Sequence, residues 1–105
     1  MADFQAQSDG SSTVYLSGEL DLATVPAFEL AMAIAAPIDG PITLDVSKLT
    51  FMDSTGAGAI AKAAESLPSG CIVLHGACGE VRRVIDLMGI GKAPNLQVLP
   101  SAILN

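Results

Sequence analysis

Ile42, Leu44 and Val46 alternate with Thr43, Asp45 and Ser47, and a few residues later Ala57, Ile60, Ala61, Ala64 and Leu67 recur at helical spacing. Period two means a strand with one buried face, and period 3.6 means a helix with one apolar side. The same succession occurs all along the chain. Phe4 and Ala6 begin a weak strand, Ser8-Asp9-Gly10-Ser11-Ser12 concentrates turn formers, and Val14, Leu16, Gly18 and Leu20 alternate behind Thr13, which reads as a hairpin. Thr24 is the expected N-cap of a helix bearing Phe28, Ala31, Met32 and Ala35, with Pro26 tolerated in the first turn. Pro37 and Asp39-Gly40-Pro41 stop that helix, and Pro68-Ser69-Gly70 stops the one that begins after Asp53. A loop is expected from Lys48 to Asp53. Cys71 to Leu74 reads as a central strand covered on both sides, Val81, Val84, Ile85 and Met88 as a helix from about Gly79, and Leu96 with Val98 as a short last strand.

Strand-helix-strand units in series require right-handed crossovers and a parallel sheet, to which the hairpin adds one antiparallel strand. The expected fold is therefore α/β, a mixed but mostly parallel sheet with three to four packed helices. The 105 residues fit a single domain over 1–105. That size holds one core and excludes a large multi-lobed enzyme. Sixteen alanines and no tryptophan imply a core of small and aliphatic side chains.

Five Lys plus Arg against eleven Asp plus Glu give a net charge of −6. Such a chain has no basic footprint for a phosphate backbone, so neither nucleic acid nor an anionic membrane is an expected partner. The acidic start Met1-Ala2-Asp3-Phe4 lacks the features of a signal peptide, and the longest apolar run, Leu30 to Ile38, has nine residues where a membrane span needs about 20. A soluble cytoplasmic protein is expected. Cys71 and Cys78 have neither zinc-site nor redox-pair spacing and read as buried or half-buried reduced thiols. No metal site is expected.

Chemistry concentrates in Asp45 to Ile60, which runs from a strand into a helix start. Asp53, Ser54 and Thr55 stand where helix amides lack intrahelical acceptors, and any of the three can cap them. Gly56 and Gly58 each cost an isolated helix about 1 kcal/mol relative to alanine, so their use implies a close backbone approach or a turn that needs room. Gly56-x-Gly58-x-x-Ala61 has the outline of a dinucleotide fingerprint, but the expected loop separates it from its strand and no acid ends the next strand to hold a ribose. Lys62 lies too deep in the helix for a P-loop. For a serine hydrolase, His75 is the one histidine available to Ser54, and the Gly-x-Ser-x-Gly elbow is missing. His75 reads instead as a solvated residue at a strand end.

The remaining possibility is a hydroxyl that another protein modifies. A phosphate at a helix N-terminus meets unsatisfied amides and a favourable dipole, and it adds about −1.5 to −2 charges beside Asp53. That is a local electrostatic switch on a partner surface.

Asp45-x-Ser47, Phe51-Met52-Asp53-Ser54-Thr55-Gly56-x-Gly58 and the earlier Gly18-Glu19-Leu20-Asp21 together resemble the STAS domains of bacterial anti-sigma factor antagonists, over nearly the whole chain. The resemblance implies a partner-switching protein that is not an enzyme, has no catalytic residue and needs no cofactor. Unphosphorylated, it binds an anti-sigma factor with serine kinase activity and frees a sigma factor; phosphorylation from ATP breaks the complex and a phosphoserine phosphatase restores it. The phosphoacceptor falls on Ser54, with Thr55 as the fallback. Asp21, Asp53, Ser54, Thr55, Gly56 and Gly58 fall on the partner-binding surface. Ala57 stands where relatives often carry a larger aliphatic residue. STAS domains also accompany transporters, so the alternative is a subunit of a lipid-transport ABC system that binds its ATPase.

Overall fold

The computed structural model describes residues 3–10, 12–35, 40–67 and 71–99. The stop signals at Pro37, Asp39 and Pro68-Ser69-Gly70 lie outside these residues, as do Met1, Ala2 and Ser11. Five strands and three α-helices follow one another as β1 (Phe4–Ser8), β2 (Thr13–Leu20), α1 (Val25–Ala35), β3 (Ile42–Met52), α2 (Ser54–Ser66), β4 (Ile72–His75), α3 (Gly79–Leu87) and β5 (Leu96–Val98), with one 3₁₀ turn at Ile90–Lys92. The sheet order is β1-β2-β3-β4-β5. β1 and β2 are antiparallel and every other pairing is parallel. The mixed, mostly parallel sheet expected from the periodicities is the one observed.

Because each crossover steps to the next strand in the same direction, right-handed connections put all three helices on one face of the sheet. Burial agrees with this. Val14, Leu16, Ile42, Leu44, Ile72 and Leu74 are buried beneath the helices, whereas Tyr15, Asp45 and His75, which the pairing register puts in one row, are not. β4 is accordingly covered on one side, not two: its apolar run alternates buried Ile72 and Leu74 with half-buried Val73.

The expected loop from Lys48 to Asp53 does not exist, because β3 runs on to Met52 and pairs with the second half of β2. Two register shifts hide this in the sequence. Between Tyr15 and Ser17, and again between Gly18 and Glu19, β3 advances one residue more than β2. Each extra residue is a bulge that breaks period two, so buried Val46, Leu49 and Met52 fall three apart. Side chains tie down both irregularities. Asp45 Oδ1 accepts the Ser47 hydroxyl at 2.6 Å and the Ser47 amide at 3.0 Å, and the Thr50 hydroxyl donates to the Gly18 carbonyl at 3.1 Å. Asp45-x-Ser47 thus has a structural role in β3.

Thr24 directly precedes Val25, the N-cap position expected of it, and its carbonyl accepts the Ala27 and Phe28 amides, but its hydroxyl bonds backward and not to an amide of α1. Asp21 braces the turn before the helix: its Oδ1 accepts the amides of Ala23 and Thr24 at 3.0 and 3.2 Å, while the Thr24 hydroxyl accepts the Asp21 amide at 3.0 Å and donates to the Glu19 carbonyl at 2.8 Å. Asp21 and Thr24 thus bond reciprocally across the turn that leads into α1. At the other end of the chain, Met88 lies past the last turn of α3 and is 44% exposed instead of joining the core. Gly89, in the left-handed region at φ 66°, reverses the chain so that Ile90 fills that place and is buried. Both cysteines are free thiols, Cys71 half-buried and Cys78 exposed rather than covered.

Candidate functional site

The C-terminal end of β2 leads through a turn at residues 21–24 into α1, that of β3 leads through Asp53 into α2, and the two connections are joined to each other. Asp53 is the N-cap of α2. Its Oδ1 accepts the Gly56 amide at 2.8 Å, its Oδ2 accepts the Leu22 amide at 3.4 Å, and its own amide donates to the Leu20 carbonyl at 3.3 Å. Of the three oxygens able to cap α2, the Asp53 carboxylate is the one used. Ser54 and Thr55 are therefore left as exposed first and second residues of the helix, and their amides have no intrahelical acceptor.

Gly56 is buried, and a Cβ there would stand 2.4 Å from the Leu20 carbonyl oxygen. The close approach inferred for the two glycines is real for Gly56, whose role is to let α2 pack on the end of β2. It is absent for Gly58, where a Cβ would meet nothing within 4 Å. Asp21 turns its carboxylate onto the turn that precedes α1, and its neighbour Leu22 bonds to Asp53. The structure thus brings the Asp21 and Asp53 turns together at one end of the sheet.

Leu22 was missed in the sequence. It is 72% exposed, in the turn bonded to Asp53. The available signal was an apolar residue in the short turn between Asp21 and Thr24. Phe51, the last residue but one of β3, is also partly exposed.

His75 is in another part of the molecule. It pairs with Asp45 in the register of β3 and β4, with Nδ1 3.6 Å from Asp45 Oδ2. Met52, the residue before the Asp53 turn, lies seven residues further along β3, a distance on the order of 20 Å at the rise of a strand. No base reaches Ser54 from His75, and a Ser-His couple does not form. The objection to a dinucleotide site changes as well, since only Asp53 separates β3 from α2; the missing acid remains decisive, because β4 ends in His75. Among the described residues, no group of three or more His, Cys, Asp or Glu side chains is placed to hold a metal ion. No described helix is long and apolar enough to cross a membrane.

The fold alters the acidity of the Asp45 carboxyl. Partial burial pushes its pKa up, but hydrogen bonds from the Ser47 hydroxyl and amide and the charge of nearby His75 outweigh that, and the carboxyl lies below its ordinary value.

A family model described as "Mlab, STAS domain" matches residues 4–100. Among solved structures, an anti-sigma factor antagonist from Mycobacterium paratuberculosis is 30% identical, with a TM-score of 0.71 over 92% of this chain and 86% of that one. The anti-sigma factor antagonist SpoIIAA in its unphosphorylated form is 24% identical, with a TM-score of 0.64 over 98% of this chain and 100% of that one. The Bacillus cell fate determinant SpoIIAA in its phosphorylated form is also 24% identical, with a TM-score of 0.58 over 93% and 92% of the two chains. No curated protein sequence matches. With the family model spanning nearly every described residue, and the Mycobacterium relative sharing both fold and sequence, the chain belongs to the STAS domain family that includes the anti-sigma factor antagonists.

Proposed function

We propose that this protein is an anti-sigma factor antagonist switched at Ser54. Unphosphorylated, it binds an anti-sigma factor with serine kinase activity in the cytoplasm, and a sigma factor is released. The kinase transfers the γ-phosphoryl group of ATP to Ser54 Oγ; the P–O bond to ADP breaks, ADP departs, and the hydroxyl proton is taken up by the kinase. A phosphoserine phosphatase reverses the mark. Asp21, Asp53, Thr55 and Gly58 border the docking surface, Gly56 shapes it from within, and Thr55 is the alternate acceptor.

The observation that carries this reading is an exposed Ser54 hydroxyl at a helix start whose cap is supplied by a different residue, Asp53. Modification leaves the cap in place. The phosphate meets the outward amides of α2, while its charge of about −1.5 to −2 repels the Asp53 carboxylate. The Asp53 bond to the Leu22 amide is the longer of its two, at 3.4 Å. We infer that this bond yields first, so that the mark on Ser54 also displaces exposed Leu22.

Phosphate mapping by mass spectrometry after incubation with the serine kinases of its own genome is expected to find Ser54. In calorimetry against the kinase that binds, Ser54→Ala keeps the affinity of the unmodified protein, because the hydroxyl caps nothing, whereas Ser54→Asp weakens it tenfold or more, about 1.4 kcal/mol. Equal affinities would refute the electrostatic switch, and the absence of both phosphate and complex with every kinase would refute the function.

The match to the Mlab model favours one other reading, a subunit of a lipid-transport ABC system that binds its ATPase. Stable association with a transporter ATPase, without modification of Ser54, would select it.

A further inference from the structure

Glu29 is the one residue of α1 with a polar side chain. A helix apolar on all sides is normally buried on all sides, yet α1 lies at the edge of the helical layer and buries only Phe28, Met32 and Ala35. Leu30 and Ile34 stand outward as a ridge, 64% and 72% exposed. Beside the ridge, α1 and α2 enclose a groove of about 270 Å³ lined by Phe28, Met32, Ala59, Ala63 and Leu67. Glu29 and Lys62 also line it, one from each helix, and among the described residues neither forms an ion pair.

We propose that this face binds a second copy of the same chain, the ridge of each α1 lying in the α1–α2 groove of the other. Three observations select that occupant. The surface carries its own complement: an apolar ridge and an apolar groove side by side are what a two-fold, self-complementary contact requires. Ala33, between ridge and groove, lets two helices approach closely. In the antiparallel arrangement, Glu29 of each copy meets the partner copy's Lys62, which satisfies on association two charges left unpaired in the monomer. A lipid surface does not fit, since α1 has no Lys or Arg and the chain carries a net charge of −6. The contact is confined to one helix face and its groove, and a weak dimer dissociating at about 10 to 100 µM is expected. The face lies along the sides of α1 and α2, whereas Ser54 is at a helix start, so the proposal is independent of the switch.

Sedimentation velocity on the unmodified protein from about 5 µM to about 1 mM is expected to pass from monomer to dimer mass. Leu30→Asp combined with Ile34→Asp, at two exposed positions, is expected to leave the circular dichroism intact and to hold the protein monomeric throughout. Glu29→Lys and Lys62→Glu proteins should each dimerise at least tenfold more weakly, and mixing the two should restore association, because only the mixed pair has opposite charges at both contacts. A monomer at every concentration would overturn the proposal and leave the face to another protein. A dimer insensitive to Leu30→Asp/Ile34→Asp, or a mixture no stronger than its components, would overturn it too.

Discussion

Asp53 is a hydrogen-bond acceptor with two separate tasks, one oxygen closing the first turn of α2 and the other fastening the turn that contains Leu22. Replacing it with alanine removes a cap and is expected to cost about 1 kcal/mol in chemical denaturation. Asp53→Asn keeps an acceptor and should lose less than half of that; a larger loss for Asn than for Ala would mean that the carboxylate is not acting as a cap. The two glycines that follow separate by the same local argument. Gly56→Ala places a methyl against a backbone carbonyl that has no room to move, and is expected to destabilise by about 1–3 kcal/mol. Gly58→Ala enters open space inside a helix and is expected to stabilise by up to about 1 kcal/mol. Urea midpoints moving in opposite directions for the two variants check this contrast.

At the scale of elements, β3 is the least regular part and the one that places the site. Its two bulges let the ten residues from Thr43 to Met52 run beside the eight of β2, so that Leu20 and Met52 end together and the turns that follow them lie next to each other. The Asp45–Ser47 clasp at the first bulge has a pH signature. Since the folded Asp45 carboxyl is more acidic than in the unfolded chain, its contribution is fully present above the unfolded value near pH 4 and is lost as pH falls through the lower folded value. Thermal melts are therefore expected to show a steeper acid decline below about pH 4 in the wild type than in Asp45→Asn; identical slopes would count against the clasp. The bulges also explain what could be read from the residues alone. The hairpin, the first half of β3, α2 and the order of elements were legible because period two and period 3.6 are each uninterrupted there. The second half of β3 was not, because each bulge adds a residue that only pairing with β2 accounts for. The position of Thr24 before α1 was legible, but the backward turn of its hydroxyl to Asp21 and Glu19 was not, because that depends on where β2 stops. That Asp53, Ser54 and Thr55 form a helix start was legible from type and position; the exposure of Leu22 shows only once its turn is seen to lack cover.

On the scale of the whole molecule, one helical layer on one side of the sheet leaves a single core. Phe28, with no exposed surface, sits in it between α1 and the sheet. Phe28→Ala is expected to cost about 3–5 kcal/mol, a large part of the 5–15 kcal/mol typical of such a domain. Tryptophan is absent, so the loss is best followed by far-ultraviolet circular dichroism, where one cooperative transition at a lower midpoint is expected; a two-step melt would reveal a second, independent unit. The strand order has a further consequence, for synthesis. Because spatial order and chain order coincide, no strand is ever inserted between two neighbours already in place. A chain leaving the ribosome can lay down β1 and β2 first and then add one helix and one strand at a time to a growing edge, so that the Ser54 turn takes shape against β2 before β4 and β5 have emerged.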